Sequence, residues 1–210
     1  MYKMLVSLIM VINIILLFTQ TKAEYRNIIV IDAGHGGMDT GASRGDIYES
    51  KVTLEIAKRL ENIFEINGYN VVMTRNDMNA LCEDKFIKKE DMNNRINIIN
   101  SSKALFGLSI HLNEFGIEKY RGAQVFYSNA NEINYKLASS IQNSIRYYLN
   151  NTERSIVKRD NIFLLNKVSI PFCIVECGFM SNEEEFRLLL NADYQIKLAY
   201  AIFYGAISSI

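Results

Sequence analysis

Short apolar runs alternate with amphipathic segments along most of the chain, and this alternation limits the possible folds more than any other feature. Runs typical of buried strands cover residues 27–33, 69–75, 103–111, 122–128 and 171–179. Segments with apolar residues at helical spacing cover residues 48–66, 88–100, 131–149 and 193–207. Strands that alternate with helices predict a layered α/β domain, with a largely parallel sheet flanked by helices.

The composition is that of one compact domain. A chain of 210 residues can bury a sizeable single core. Its 23 basic and 23 acidic side chains give a formal net charge of zero, whereas nucleic-acid-binding domains usually carry a basic excess. We therefore expect a single domain over residues 24–210 and no nucleic-acid partner.

The first 23 residues differ from the rest. A nearly unbroken apolar run extends from Leu5 to Phe18, and Ala23 offers a small-residue cleavage position before Glu24. This run is short for a membrane-spanning helix but typical of the core of a signal peptide. We predict that residues 1–23 are a signal peptide, or a membrane anchor if they stay uncleaved. In either case the domain is exported across the cytoplasmic membrane.

The three cysteines do not indicate a metal site or a disulfide. Cys173 and Cys177 lie four residues apart in a strand-like run, which separates them by about 13 Å. That separation is too long for a disulfide. We predict that both are small buried apolar side chains.

The chain has two histidines, and each lies where a predicted strand ends. His35 follows the strand over 27–33 within AGHGG, and His111 ends the strand over 103–111. In proteins with a parallel sheet, ligands bind beyond the carboxyl ends of the strands. Imidazole is the commonest metal ligand, and catalytic zinc sites use three protein ligands with a fourth position open. Two histidines therefore predict a zinc site that needs one further ligand, a carboxylate.

Several carboxylates could complete that site. Glu49 opens the helix after the His35 loop, where the chain returns to the same sheet edge, while Asp32, Asp39 and Asp46 are alternatives. A glutamate at a helix start is also favoured by the helix dipole alone. The residue pattern therefore leaves the third ligand open.

Glu176 is unusual because it interrupts the apolar run FCIVECGF. A buried glutamate is either paired or functional. One explanation is a structural ion pair with an arginine. The other is a general base, which would take a proton from water attacking a carbonyl beside the metal; burial in an apolar strand raises the pKa of a carboxyl group toward the useful range.

Four stretches together resemble the zinc-dependent N-acetylmuramoyl-L-alanine amidases of bacterial cell walls. They read VIDAGHGGMDTGA, YESKVTLEIAKRL, SIHLNE and PFCIVECGFMSNEEE, and the resemblance covers residues 27–207. It implies one α/β domain with a six-stranded sheet, hydrolysis of the amide between N-acetylmuramic acid and L-alanine in peptidoglycan, and one Zn²⁺ per chain. The residues it implies are His35, Glu49 and His111 as ligands, Glu176 as the catalytic glutamate, and Arg95 and Asn113 as substrate-binding residues.

Size and architecture further resemble the short germination-specific amidases of spore-forming bacteria. This resemblance implies a secreted or cell-envelope enzyme around the developing spore, active in forming muramic-δ-lactam in the cortex. Because no wall-binding repeats are found, we expect an accessory protein for targeting or activation, and membrane contact only through residues 1–23 if they stay uncleaved. The alternatives are a zinc peptidase that cuts elsewhere in the stem peptide and a non-catalytic peptidoglycan-binding or activator module.

Overall fold

The computed structural model describes residues 27–82 and 85–210. The strands are β1 (Ile28–Ala33), β2 (Ser43–Arg44), β3 (Ile47–Tyr48), β4 (Asn70–Met73), β5 (Gly107–Asn113), β6 (Gln124–Tyr127), β7 (Val157–Lys158) and β8 (Phe172–Phe179). The helices are α1 (Glu49–Ile66), α2 (Lys88–Ser101), α3 (Ile133–Leu149), α4 (Phe163–Lys167), α5 (Glu183–Leu189) and α6 (Ala192–Ile207). The α/β class is confirmed.

Six strands form the central sheet in the order β4-β1-β5-β8-β6-β7, while β2 and β3 form a separate hairpin. All neighbouring pairs in this sheet are parallel except β6 and β8, which are antiparallel. The expected six-stranded, largely parallel sheet is confirmed. Because β1, β5 and β8 are parallel neighbours, their carboxyl ends meet at one edge of the sheet.

Side chains that alternate along the strands fill two apolar layers, one on each face of the sheet. On one face, Ile31 and Val175 belong to a core that also includes residues of α1, α3 and α6. On the other face, Val30 and Ile174 pack with residues of α2 and α4. Glu176 lies two residues after Ile174 on β8 and therefore projects toward the α2 and α4 layer.

The structure corrects the sequence analysis in several local details. The sequence pattern predicted neither the β2–β3 hairpin nor the short elements β7 and α4. These elements have two to five residues each, too few to show a period. The prediction that Cys173 and Cys177 are buried and unpaired is confirmed.

No helix within residues 27–82 and 85–210 combines the length and apolar character that a membrane crossing requires. The predicted signal peptide or anchor over residues 1–23 lies outside the described residues.

Candidate metal centre

His35 lies in a strained turn directly after β1. Its φ is 62°, in the left-handed region that residues other than glycine seldom adopt. Gly36 closes the turn, because its N–H donates to the carbonyl oxygen of Asp39 at 2.8 Å and its carbonyl oxygen accepts from the N–H of Asp39 at 3.0 Å. The glycine-rich sequence thus turns the His35 side chain back over the sheet edge.

Two other glycines leave the space that the site requires. A Cβ atom at Gly34 would lie 2.5 Å from atoms of the His111 ring. A Cβ atom at Gly41 would lie 2.5 Å from Oε2 of Glu49 and 2.7 Å from Cδ2 of His35. Any larger residue at either position would push these side chains apart.

Glu49 is the first residue of α1, and its carboxylate lies between the two imidazoles. Its Oε1 is 3.2 Å from Nε2 of His35 and 3.1 Å from Nδ1 of His111. The backbone N–H groups of Leu112 and Ala42 each donate to this carboxylate at 2.9 Å, to Oε1 and Oε2 respectively. Backbone donors therefore hold the carboxylate in place independently of the histidines.

His35, Glu49 and His111 form a group suited to a metal ion, with one donor atom from each residue and all three atoms within 4.8 Å of one another. Two imidazoles and one carboxylate are a donor set of catalytic zinc sites. Both imidazoles remain about one-fifth exposed, so that the group is accessible from solvent. Within the described part of the chain, no other group of histidine, cysteine and acidic side chains converges in this way.

The three aspartates considered as alternative third ligands make other contacts or are exposed. Asp32 is fully buried, and its two oxygens accept hydrogen bonds from Thr74, Ser109 and Arg95. Asp39 lies behind His35, with Oδ1 3.0 Å from Nδ1 of the ring, at hydrogen-bond distance but poorly aligned. Asp46 is exposed in the β2–β3 turn.

The charges of the group attract a cation. Burial opposes the protonated form of His35, but the carboxylates of Asp39 and Glu49 outweigh burial and raise its pKa to about 9. Burial also opposes the charged form of Glu49, yet the two histidines hold the pKa of that carboxyl well below its usual range. In the metal-free protein a proton therefore supplies the positive charge that a metal ion would replace.

Glu176 lies beside this group and has no hydrogen-bond partner among the described residues. In the parallel pair of β5 and β8 it is in register with His111. Its Oε2 is buried and accepts no hydrogen bond from residues 27–82 or 85–210. Burial raises the pKa of Glu176 to about 7, with His111 acting in the opposite direction. The described residues thus offer no arginine to Glu176, which disfavours the structural ion pair.

A cleft of about 280 Å³ opens over these side chains. His35, His111 and Glu176 line its polar side, while Met92 of α2 and Leu164 of α4 contribute to its apolar side. The polar side thus presents two of the three metal-ligand candidates and Glu176 to the same space.

Arg95 lies beneath the cleft, 2% exposed, and all three of its nitrogens donate to protein oxygens. Nε donates to Asp91 and NH1 to both Asp32 and the carbonyl of Ala33, each at 2.7 Å, and NH2 donates to the carbonyl of His35 at 2.5 Å. These contacts hold the His35 turn in place. Arg95 also lines the cleft, and no contact in the structure tests its expected role in substrate binding.

Sequence reasoning missed Arg75, which has a similar place. Its NH2 donates to the carbonyl oxygens of Gly34 and Ser50 at 2.9 and 2.7 Å, and thereby joins the His35 turn to the start of the helix that carries Glu49. Arg75 lies at the end of the predicted strand over 69–75, and His35 and His111 also lie at strand ends. This shared position is the sequence signal that could have identified Arg75.

Asn113 ends β5, and its backbone carbonyl accepts from the N–H of Met180 at 2.8 Å. Its side chain is partly exposed. No contact in the structure tests its expected role in substrate binding.

Comparison with known proteins places this geometry in a family. The family model described as N-acetylmuramoyl-L-alanine amidase matches residues 29–208. The germination-specific N-acetylmuramoyl-L-alanine amidase of Bacillus subtilis (strain 168) is 39% identical over 183 residues, which are 85% of this chain and 77% of that protein.

Comparison with solved structures leads to the same family. The CwlD amidase from Clostridioides difficile, solved in complex with the GerS lipoprotein, is 36% identical with a TM-score of 0.84, covering 88% of this chain and 98% of that one. The catalytic domain of CwlV, an N-acetylmuramoyl-L-alanine amidase from Bacillus (Paenibacillus) polymyxa var. colistinus, is 28% identical with a TM-score of 0.76, covering 87% and 97%. The chain therefore belongs to the N-acetylmuramoyl-L-alanine amidase family and is an enzyme that acts on peptidoglycan.

Proposed function

We propose that this enzyme is a zinc-dependent amidase that holds one Zn²⁺ per chain through His35, Glu49 and His111 and uses Glu176 as its general base. One observation carries the proposal: three donor atoms of a zinc-type ligand set lie within 4.8 Å of one another, next to the half-buried Glu176, whose buried Oε2 has no partner among the described residues. The bond cleaved is the amide between the lactyl group of N-acetylmuramic acid and L-alanine.

The protein's own groups divide the chemistry between them. A Zn²⁺ ion, when bound, polarises the scissile carbonyl and lowers the pKa of water. Glu176 takes the proton of the attacking water and delivers it to the nitrogen of the leaving L-alanine. Met92 and Leu164 line part of the cleft, and their apolar side chains lower the local dielectric, so that the charges of the site interact more strongly.

The ligands are oriented before any cation arrives. Backbone N–H groups fix Glu49, Arg95 fixes the backbone of His35, and Asp39 stands at 3.0 Å behind the His35 ring. Outer partners of this kind set the orientation and basicity of a metal-binding imidazole.

We further propose export through residues 1–23 and a role in maturation of the spore cortex, where the reaction leads to muramic-δ-lactam. The similarity to a germination-specific amidase supports this role. A relative solved in complex with a lipoprotein supports an accessory protein for this chain as well.

Digestion of purified peptidoglycan by the purified protein tests the proposed function. Mass spectrometry should find free stem peptides that begin with L-alanine. Release should stop with a chelator and resume when Zn²⁺ is added. Peptides cut at another bond would instead indicate a peptidase, and chelator-resistant release would exclude metal dependence.

A further inference from the structure

Arg154 lies close to Glu176, and the residue between them is Gln124. Gln124 of β6 is the antiparallel partner of Glu176 in register, and directly paired residues project from the same face of a sheet. The two strands are about 4.8 Å apart. NH1 of Arg154 lies 3.4 Å from Oε1 of Gln124, which places the guanidinium at the sheet edge that carries the proposed catalytic residues.

The guanidinium of Arg154 is held in a fixed orientation. It lies over the ring of Phe179, 4.6 Å from the centroid, and 5.9 Å from the centroid of Tyr120. Its Nε donates to the carbonyl oxygen of Arg121 at 2.7 Å. Stacking and this hydrogen bond restrict the side chain, so little freedom would be lost when a ligand binds.

NH2 of the same guanidinium has no acceptor among the residues that the structure describes. NH2 donates to none of the residues described, and none of their carboxylates forms an ion pair with Arg154. Arg121 differs, because Oε2 of Glu184 lies 2.7 Å from its NH1. Arg154 therefore retains a donor edge suited to a carboxylate, the group that a planar guanidinium binds best.

A second cleft of about 480 Å³ lies at this place, lined by residues 119–121 and 150–154. Lys119 adds a positive charge to its rim, and Glu153 adds a negative one. With Arg121 and Arg154, the lining carries three basic side chains and one acidic one, a formal net charge of +2. Arg121 is paired with Glu184, so that the fixed guanidinium of Arg154 is the donor available to an anion in this positive cleft.

We propose that Arg154 forms an anion subsite that binds a free carboxylate of the substrate on the peptide side of the scissile amide. This inference rests on the proposed function. In peptidoglycan the carboxyl group of the muramic acid is consumed in the scissile amide, whereas the glutamate after L-alanine is linked through its side chain and can keep a free α-carboxylate. A carboxylate subsite beyond Glu176 therefore directs the stem peptide toward β6 and β7.

The test uses two muropeptides that differ only in this group, a carboxylate in one and a carboxamide in the other. For the native enzyme we expect kcat/KM to be about 10-fold higher with the carboxylate, the effect of one charge-assisted hydrogen bond at a partly exposed site. Arg154→Gln should bring the ratio of the two kcat/KM values close to one. Because the ratio is taken within each variant, a change in the folded fraction cancels.

Arg159→Gln is the matched control, since Arg159 also lies over an aromatic ring, that of Phe126 at 5.1 Å, and it should keep the native ratio. A ratio that Arg154→Gln leaves unchanged, or a native ratio near one, would overturn the subsite while leaving the proposed function intact. Failure of the native enzyme to cleave either muropeptide would overturn both.

Discussion

Two polar clusters meet at the carboxyl end of β1, one of them buried and the other partly exposed, and their charges are paired differently. In the arginine cluster, formed by Asp32, Asp91 and Arg95, each nitrogen of the guanidinium and each carboxylate oxygen has a protein partner. In the ligand cluster, formed by His35, Glu49 and His111, two imidazoles share one carboxylate oxygen.

The neighbourhood of the ligand cluster is also incompletely paired, because Oε2 of Glu176 has no hydrogen bond among the described residues. The difference between the two clusters distinguishes two roles of charged side chains. Charges that the protein neutralises by itself build the scaffold, while charges that it leaves short of partners are available to a metal ion and a substrate.

The largest expected effect is loss of metal binding without loss of the fold. His111→Ala and Glu49→Gln should each lower Zn²⁺ affinity by more than the ~10–100-fold typical of losing an outer partner. Each removes a proposed ligand atom or its formal charge, and elemental analysis after dialysis should find metal strongly reduced.

Two aspartates provide controls for this prediction. Asp39→Asn should cost at most about 10–100-fold, because Asp39 stands behind His35 as an outer partner, and Asp46→Asn should have no effect. An aspartate variant more damaging than Glu49→Gln would mean that the third ligand is wrongly assigned.

The next largest effect belongs to the arginine cluster and falls on stability. Arg95→Met should lower the free energy of unfolding by about 3–5 kcal/mol, because it leaves the buried carboxylates of Asp32 and Asp91 without the cation that pairs with both. Urea unfolding of the metal-free protein measures this change.

Arg59→Met serves as the comparison, since Nε of Arg59 donates to the side chain of Gln195 and that residue is not charged. It should cost about 1 kcal/mol. Equal losses in the two variants would remove the distinction between the arginine cluster and an ordinary polar contact.

The smallest effect is the pH dependence of the metal-free protein. The pKa of His35 rises from 6.5 to about 9 on folding. Its stabilising contribution is therefore complete below pH 6.5 and disappears as the pH rises through about 9. The loss is about 3 kcal/mol at most, since one pKa unit corresponds to ~1.36 kcal/mol.

Urea unfolding at pH 6, 7.5 and 9 in the presence of a chelator should show this decline, and His35→Gln should flatten it. Zn²⁺ affinity should change in the opposite direction and rise with pH, because binding displaces the proton of His35. Stability of the metal-free protein that increases from pH 6.5 to 9 would contradict the assigned charges.

The contrast between the two clusters also explains which features of the fold and of the site could be predicted from the sequence. Strands and long helices follow from apolar periodicity, and they brought His35, His111 and Glu176 to one sheet edge without a structure. The antiparallel direction of β6 has no local signature, because alternation along a strand is independent of its neighbour's direction. The contacts of Arg95 were likewise hidden, since they join residues about 60 positions apart.

The cap of α5 shows that prediction from the sequence is limited for local contacts as well. Ser181 and Glu184 have the spacing of a capping box, which predicts a helix start at Ser181. In the structure the side chain of Asn182 caps α5, accepting from the N–H of Glu185 at 3.0 Å, and Ser181 accepts from the N–H of Phe115 instead. Both residues are good caps, and the tertiary contact of Ser181 decides between them.

The most direct test of the account is Glu176→Gln compared with Glu185→Gln. Glu185 is also buried, but the backbone N–H groups of Gly122 and Phe179 donate to its two oxygens at 2.9 Å. Each variant is measured for zinc content, melting temperature and release of stem peptides from peptidoglycan. Glu176→Gln should keep its zinc and its melting temperature and lose ~10²–10⁴ in rate, while Glu185→Gln should melt earlier and keep its rate per folded molecule. Near-normal release by Glu176→Gln, or a lost rate that comes with a large drop in melting temperature, would contradict a catalytic Glu176.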